Sequence, residues 1–273
     1  MALALPATGG AGNTPGSVTT LSIANFTVSG TDKVLYVGVM SNTFSVPASP
    51  TCIWDAAGAN QSFTKIAETT GTSIWCALFR LINPTDGTNK TISLAGLPSG
   101  GTDSAIAALL TGVDQTTPND TVEVVQDATT PTSKSSGTIT SPSGDWIAGF
   151  AAVENNNSAS LQQQGAAPDK VQNTGNNNAT LGFDTDQDGA DDTFDWSWTT
   201  AGDVSLLTFN VNAAAGGGTT ADLAATEDED QAASTGTLTI AAAATVTEDD
   251  DQAASASALA IAAAMVSVPV DAA

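Results

Sequence analysis

The sequence contains no histidine, only two cysteines, and only six lysine or arginine residues. Without histidine, the chain lacks the side chain that most often acts as a general base or metal ligand near neutral pH. Its 29 acidic residues give a formal net charge of −23. Because such a field repels nucleic acid and anionic lipid, the sequence predicts neither as a partner.

The small number of cysteines and the lack of long apolar runs bear on the compartment in which the chain folds. Cys52 and Cys76 each lie in an apolar run, which favours two buried free thiols over one disulfide between neighbouring strands. No apolar run is long enough to predict a membrane span. The first ten residues, MALALPATGG, have no basic residue and too short an apolar stretch for a signal peptide. We therefore expect the chain to fold where it is made.

What the chain does contain is a succession of short alternating or apolar segments separated by turn residues. KVLYVGVM, from Lys33 to Met40, is apolar on both faces, as a central strand would be. DSAIAALLTGV fits a helix or a strand by pattern, and its position among strands favours a strand. No convincing amphipathic helix occurs. We therefore predict an all-β fold, an antiparallel β-sandwich of the jelly-roll type.

Composition divides the chain into four parts. Residues 1–17 are rich in Gly, Pro and small side chains and are predicted to form an extended arm. Residues 18–212 hold the sandwich, with a long exposed loop predicted over the Asn- and Gln-rich stretch 154–178. Residues 213–220 are a Gly-rich linker, and residues 221–273 are an acidic tail.

The tail is built from two copies of a 21-residue repeat. TEDEDQAAS begins at Thr226 and TEDDDQAAS at Thr247, and an alternating apolar tract follows each. We favour strand–turn–strand over helix for both copies. Because two copies are too few to bury a core, the apolar tracts need another surface, either the sandwich or another chain. Together with the arm, they favour a homo-oligomer, most simply a trimer.

The acids of the repeats are expected to be solvated turns rather than a metal site. Their recurrence indicates a repeated contact with a basic partner surface. The residues concerned are Glu227, Asp228, Glu229, Asp230, Glu248, Asp249, Asp250 and Asp251.

Several stretches together carry a family resemblance. TVSGTDKVLYVGVM, SIWCALFRLINPTDGTNKTISLAG and LLTGVDQTTPND resemble a β-sandwich module of bacterial surface proteins and tailed-phage virion proteins. The acidic repeats resemble the tails of phage structural proteins. The resemblance implies a non-enzymatic capsid cement or decoration protein, with the major capsid protein or other virion subunits as partners. It also implies a place on the virion after assembly in the host cytoplasm, and it transfers no catalytic residues.

The segment DTDQDGADDTFDW is the strongest candidate for a metal site. Its acids have the spacing of an EF-hand-type calcium loop, with Gly189 where the chain must turn sharply. Asp at the twelfth position is shorter than the usual Glu and should weaken binding. A solvated acidic turn is the alternative, although so many carboxylates repel one another without a cation. The predicted ligands are Asp184, Asp186, Asp188, Ala190, Asp192 and Asp195.

Two tryptophans follow this segment. Trp196 and Trp198 alternate along one predicted strand and so share a face. Packing in the core or between subunits is the favoured role. The alternative is an exposed platform that stacks on a sugar. That alternative defines the second functional hypothesis, a carbohydrate- or receptor-binding module that uses the calcium loop and the exposed Trp pair.

Overall fold

The structure is a computed structural model, and its described residues are all β-strand or connecting segments. The chain divides into two units, Met1–Ala214 and Ala215–Ala273, and every described residue lies in the first. No helix occurs among the described residues, which confirms the all-β prediction. The described residues are 2–12, 19–43, 47, 49–69, 74–120, 122–154, 162–164, 170–173, 179–184, 191–193 and 195–214.

The described residues of this unit form nineteen strands. They are β1 Ala4–Gly12, β2 Thr20–Val28, β3 Val34–Ser41, β4 Thr51–Trp54, β5 Gln61–Ser62, β6 Thr64–Glu68, β7 Trp75–Ile82, β8 Gly87–Ala95, β9 Asp103–Thr111, β10 Val122–Asp127, β11 Ser133–Ser135, β12 Ile139–Thr140, β13 Trp146–Val153, β14 Gln162–Gln164, β15 Lys170–Asn173, β16 Ala179–Asp184, β17 Asp191–Asp192, β18 Asp195–Ser197 and β19 Val204–Val211.

Strands β1–β9 form a first sandwich, here called module 1. Its inner sheet has the order β1-β9-β3-β7-β6 and its outer sheet the order β2-β8-β4-β5. All neighbouring strands in both sheets are antiparallel. The chain changes sheet at each step from β1 to β4 and from β7 to β9, while β4–β5 and β6–β7 pair within one sheet. This strand order is that of a jelly roll. The predicted sandwich is therefore present in the first half of the chain alone.

Strands β10–β19 form a second sandwich, module 2, with the same connectivity. Its inner sheet has the order β10-β19-β13-β16-β15. Its outer sheet has the order β11-β18-β14, and the β12–β17 pair continues the β11–β18 ladder. The inner strands β10, β19, β13, β16 and β15 take the places of β1, β9, β3, β7 and β6, and the outer strands β11, β18 and β14 take those of β2, β8 and β4. The unit is thus an internal structural repeat, which the sequence did not reveal.

The two modules stack as four layers with three apolar cores between them. The core of module 1 contains Trp54 and Phe79, between its outer and inner sheets. A second core lies between the two inner sheets and contains Tyr36 and Phe150. The third lies inside module 2 and contains Trp196. Both faces of each inner sheet are therefore covered, which explains why β3 and β13 are buried at every position.

Three sequence predictions can be compared directly with this fold. The described part of the predicted arm is not separate from the sandwich, because β1 is an edge strand that pairs with β9. Leu3 is buried in the core between the inner sheets. The stretch 154–178, predicted as a loop, contains strands β14 and β15. Cys52 and Cys76 are free and buried, as favoured from the sequence.

Candidate functional site

The Asp-rich segment connects the two sheets of module 2. Asp184 ends β16 and pairs with Ile147 in the inner sheet. Asp192 and Asp195 lie in β17 and β18 of the outer sheet. The other three predicted calcium ligands, Asp186, Asp188 and Ala190, lie outside the described residues. Among the described residues, no group of three or more His, Cys, Asp or Glu side chains is placed to hold a metal ion.

Module 1 shows what occupies the equivalent connection, the turn between β7 and β8. There the Lys33 ammonium pairs with the Asp86 carboxylate, and the Asn83 N–H donates to the Lys33 carbonyl at 2.8 Å. Lys33 directly precedes β3. The residue that directly precedes β13 in module 2 is Asp145. Module 2 therefore has a carboxylate, Asp145, where module 1 has the buried cation Lys33. Module 2 is also the module in which the connection between the sheets is rich in aspartate.

Asp145 itself is buried at the junction of the modules. Its carboxylate accepts a hydrogen bond from the Ala213 N–H at 2.8 Å. Burial raises the pKa of this carboxyl above its ordinary value, the Ala213 bond opposes that effect, and the charges of Asp120 and Asp114 add to it. The junction is therefore a place where negative charge is costly.

Trp196 and Trp198 do not form an exposed platform. Trp196 is 0% exposed and Trp198 is 4% exposed, and both pack in the core of module 2. The Trp198 indole N–H donates to the Pro131 carbonyl at 2.8 Å. Neither ring offers a face to a ligand, so the platform prediction is wrong for this pair. The packing role favoured from the sequence fits their burial.

A polar cavity of about 430 Å³ lies on module 2, beside β11 and β18. The Lys134 ammonium at this cavity is held 2.7 Å from the Asp127 carboxylate. One carboxylate oxygen of Asp195, Oδ1, is buried and has no hydrogen-bond partner. Ser133 and Ser135, which line this cavity and are exposed, carry hydroxyl groups of the kind that bind a hydroxylated ligand. The described residues that line it are Ser133, Lys134, Ser135, Asp195 and Trp196.

The residues that carry the family resemblance meet at the junction of the modules. The Tyr36 hydroxyl donates to the Pro118 carbonyl at 3.3 Å, and the Arg80 guanidinium donates to the Asn119 side chain at 2.6 Å. Asp114 accepts the N–H groups of Thr117 and Thr116, which lowers the pKa of its carboxyl. These bonds fix the segment 114–120 that connects β9 to β10. The motif residues thus join the two modules, a role that their spacing in the sequence did not indicate.

The cations of the described side chains are all engaged. Each described lysine or arginine side chain contacts an acid or an amide, so none is left on the described surface as a binding site for an anion. The pairs are Lys33 with Asp86, Lys65 with Glu68, Lys90 with Asp55, Lys134 with Asp127, and Arg80 with Asn119.

The acids of the C-terminal repeats, in 227–230 and 248–251, lie outside the described residues. Within the part of the chain that the structure describes, no helix is long and apolar enough to cross a membrane. Comparison of the chain with known proteins gives no matching family model, no matching curated protein and no matching solved structure.

Proposed function

We propose that this chain is a non-enzymatic structural protein of a tailed-phage virion, a capsid cement or decoration protein that bridges neighbouring shell subunits. One observation carries the proposal furthest. In a chain of net charge −23, each of the five lysine and arginine side chains that the structure describes is already paired within the fold. The charge left for a partner is therefore negative, and it suits a basic patch on a protein shell.

Two further features support this function. Jelly rolls recur in viral capsid proteins and in lectins, so the fold supports the proposal by analogy. The residues behind the resemblance to virion proteins, such as Tyr36 and Arg80, join the modules into one body. A rigid body that adds contact area between subunits stabilises a shell by mass action, because it binds the assembled form and not the dissociated one.

The test is the addition of purified protein to shells that have been stripped of it. We expect saturable binding, a higher temperature of shell disruption, and release as salt rises, since exposed charge pairs are screened over about 10 Å at 0.1 M ionic strength. As a control, nucleic acid of equal charge density is added to the stripped shells in place of the protein. Its binding shows how much attraction comes from negative charge alone. Shells that bind no protein at low salt would exclude the cement function.

The alternative is a carbohydrate- or receptor-binding module. It no longer depends on the Trp pair, and one observation favours it, the polar cavity lined by Ser133, Lys134, Ser135 and Asp195. Calorimetry with a panel of neutral oligosaccharides tests it. Binding that Asp195→Ala removes and that the exposed-site control Val124→Ala keeps would favour this function, and no heat with any oligosaccharide would exclude it.

A further inference from the structure

We propose that the two modules meet across a pseudo-two-fold axis. At its centre, the Gly38–Phe150 pair makes each inner sheet specific for the other module rather than for a second copy of itself. A two-fold interface is reciprocal: if one element contacts a second, their two equivalents must also be in contact. The modules provide the equivalents, because their sheets share one strand order.

The strand contacts between the modules are reciprocal in this sense. Strand β1 lies beside β15, and its equivalent β10 lies beside β6, the equivalent of β15. In the same way, β9 lies beside β16, and β19 lies beside β7. In both pairs of contacts, exchanging each strand for its equivalent in the other module turns one contact into the other.

The chain segments that follow β9 and β19 give a second indication of the axis. Val113 and Ala213 form an antiparallel bridge. The Ala214 N–H donates to the Gly112 carbonyl at 2.7 Å, and the Asp114 N–H donates to the Asn212 carbonyl at 2.9 Å. Equivalent segments that pair with each other in opposite directions are what a two-fold axis between them produces.

Gly38 and Phe150 occupy the same place in the two modules and touch each other. Gly38 lies opposite Ile106 of β9, and Phe150 lies opposite Leu207 of β19. A Cβ atom on Gly38 would stand only 2.2 Å from the Phe150 ring, so the ring occupies the space that a side chain at position 38 would need. A residue that contacts its own equivalent lies on the axis.

This pair gives the interface its specificity. Two copies of the module 1 face would place glycine against glycine and leave a gap, and two copies of the module 2 face would bring two phenylalanine rings together. The same asymmetry recurs away from the axis. Tyr36 packs on Phe209, while the equivalents of these two residues are both alanines, Ala148 and Ala108, buried in the same core. The Tyr36–Phe209 pair is thus large, and the equivalent Ala148–Ala108 pair is small.

The axis also places the two outer sheets on opposite sides of the four-layer stack. If the shell-bridging function holds, on which this consequence rests, one chain presents an outer sheet to each of two neighbours. The specificity of the inner interface does not depend on that function.

The test exchanges the two central residues and measures thermal unfolding of the full chain. Gly38→Phe introduces a clash and Phe150→Gly leaves a cavity, so each should lower the melting temperature by more than about 5 °C. The double variant G38F/F150G places the same ring on the other side of the axis. We expect it to recover at least half of the loss, a large positive coupling between the two sites.

The control is the same exchange with a phenylalanine away from the interface. Phe26 lies in β2 of the outer sheet and packs in the core of module 1, so G38F/F26G should show only the sum of its two losses. If G38F/F150G also shows only a sum, the pseudo-two-fold interface is wrong. The smaller cycle of Gly38→Ala with Phe150→Leu decides the same point if a larger variant does not fold. Because the measurement reads folding, its result is independent of shell binding.

Discussion

Tyr36 and Phe209 stack on each other across the two inner sheets, one ring from each module, with 4.9 Å between the ring centroids and 39° between the ring planes. Both side chains are fully buried. The Tyr36 hydroxyl also reaches the Pro118 carbonyl in the connection between the modules. One tyrosine therefore links the apolar core between the modules with the chain segment that joins them.

Truncation of this pair should loosen the modules from each other. Phe209→Ala removes a buried ring and leaves a cavity between close-packed sheets, so we expect a loss of about 3–5 kcal/mol in the free energy of unfolding. Tyr36→Phe removes only the hydroxyl and should cost about 1 kcal/mol. Urea unfolding measures both. Val124→Ala, at an exposed position, is the control and should change stability by less than about 0.5 kcal/mol.

The sequence predicted the fold class because strand signals are local. The doubly apolar run KVLYVGVM identified β3 as a central strand. The strand assignment of DSAIAALLTGV is also confirmed, as β9. In each case the pattern of neighbouring residues reflects the two faces of the strand.

The internal repeat could not be predicted because it is a property of strand pairing, not of residue identity. Equivalent residues such as Gly38 and Phe150, or Tyr36 and Ala148, have different sizes, since each must fit the other module rather than match its equivalent. The arm was misjudged for a related reason. ALPATGGAG has no strand propensity, and its pairing with β9 depends on a sheet edge distant in sequence.

Acid should weaken module 2 through Asp127. Hydrogen bonds from the Lys134 ammonium, the Thr129 hydroxyl and the Thr129 N–H hold the pKa of this carboxyl well below its ordinary value. Since the folded state has the lower pKa, the stabilisation is complete above the unfolded value of about 3.9 and is lost as the pH falls below it. Asp127→Asn should flatten this part of the pH dependence of urea unfolding.

The matched control for the acid effect is Glu123→Gln. It removes a charge from the same strand, β10, and leaves the three hydrogen bonds to the Asp127 carboxylate in place. An unchanged acid slope in Asp127→Asn, or an equal change in both variants, would contradict the assignment.

Calcium should bind the segment 184–195 and stabilise module 2. The position that carries Lys33 in module 1 carries Asp145 in module 2, so an added cation would take over the charge balance that the lysine supplies. We expect heat of binding and a higher melting temperature at about 1 mM calcium. Asp184→Ala and Asp188→Ala should abolish both, and Asp222→Ala, outside the segment, should not. No heat and no shift in the wild-type chain would exclude the site.

The apolar tracts of the C-terminal repeats should associate with other copies of the chain. Among the described residues, Val124 is the single large apolar side chain that is exposed, so the described surface of the sandwich offers little apolar area to cover them. Sedimentation should therefore show a trimer for the full chain and a monomer for a chain that ends at Ala215. Equal masses for the two chains would contradict this prediction.

The acidic repeats should hold the protein on its shell through two linked contacts. Residues 171–273 contain 17 acids and no lysine or arginine, which favours a basic protein patch over a phosphate backbone. Two weak contacts on one chain bind far more tightly than one when the geometry lets both engage. Deletion of residues 245–264, which removes one copy, should therefore reduce binding to stripped shells much more than halving the charge would.

Salt separates this avidity from simple attraction between opposite charges. Both forms should dissociate as the ionic strength rises, but the deleted form should do so at a markedly lower concentration, because its single contact has no linked partner to hold it near the shell. A control chain with Glu248, Asp249 and Asp250 changed to their amides keeps the length and the apolar tract while losing charge. If this control binds like the deleted form, charge carries the contact. If the full and deleted chains bind equally at every salt concentration, the repeats do not attach the protein, and the sandwich modules must do so.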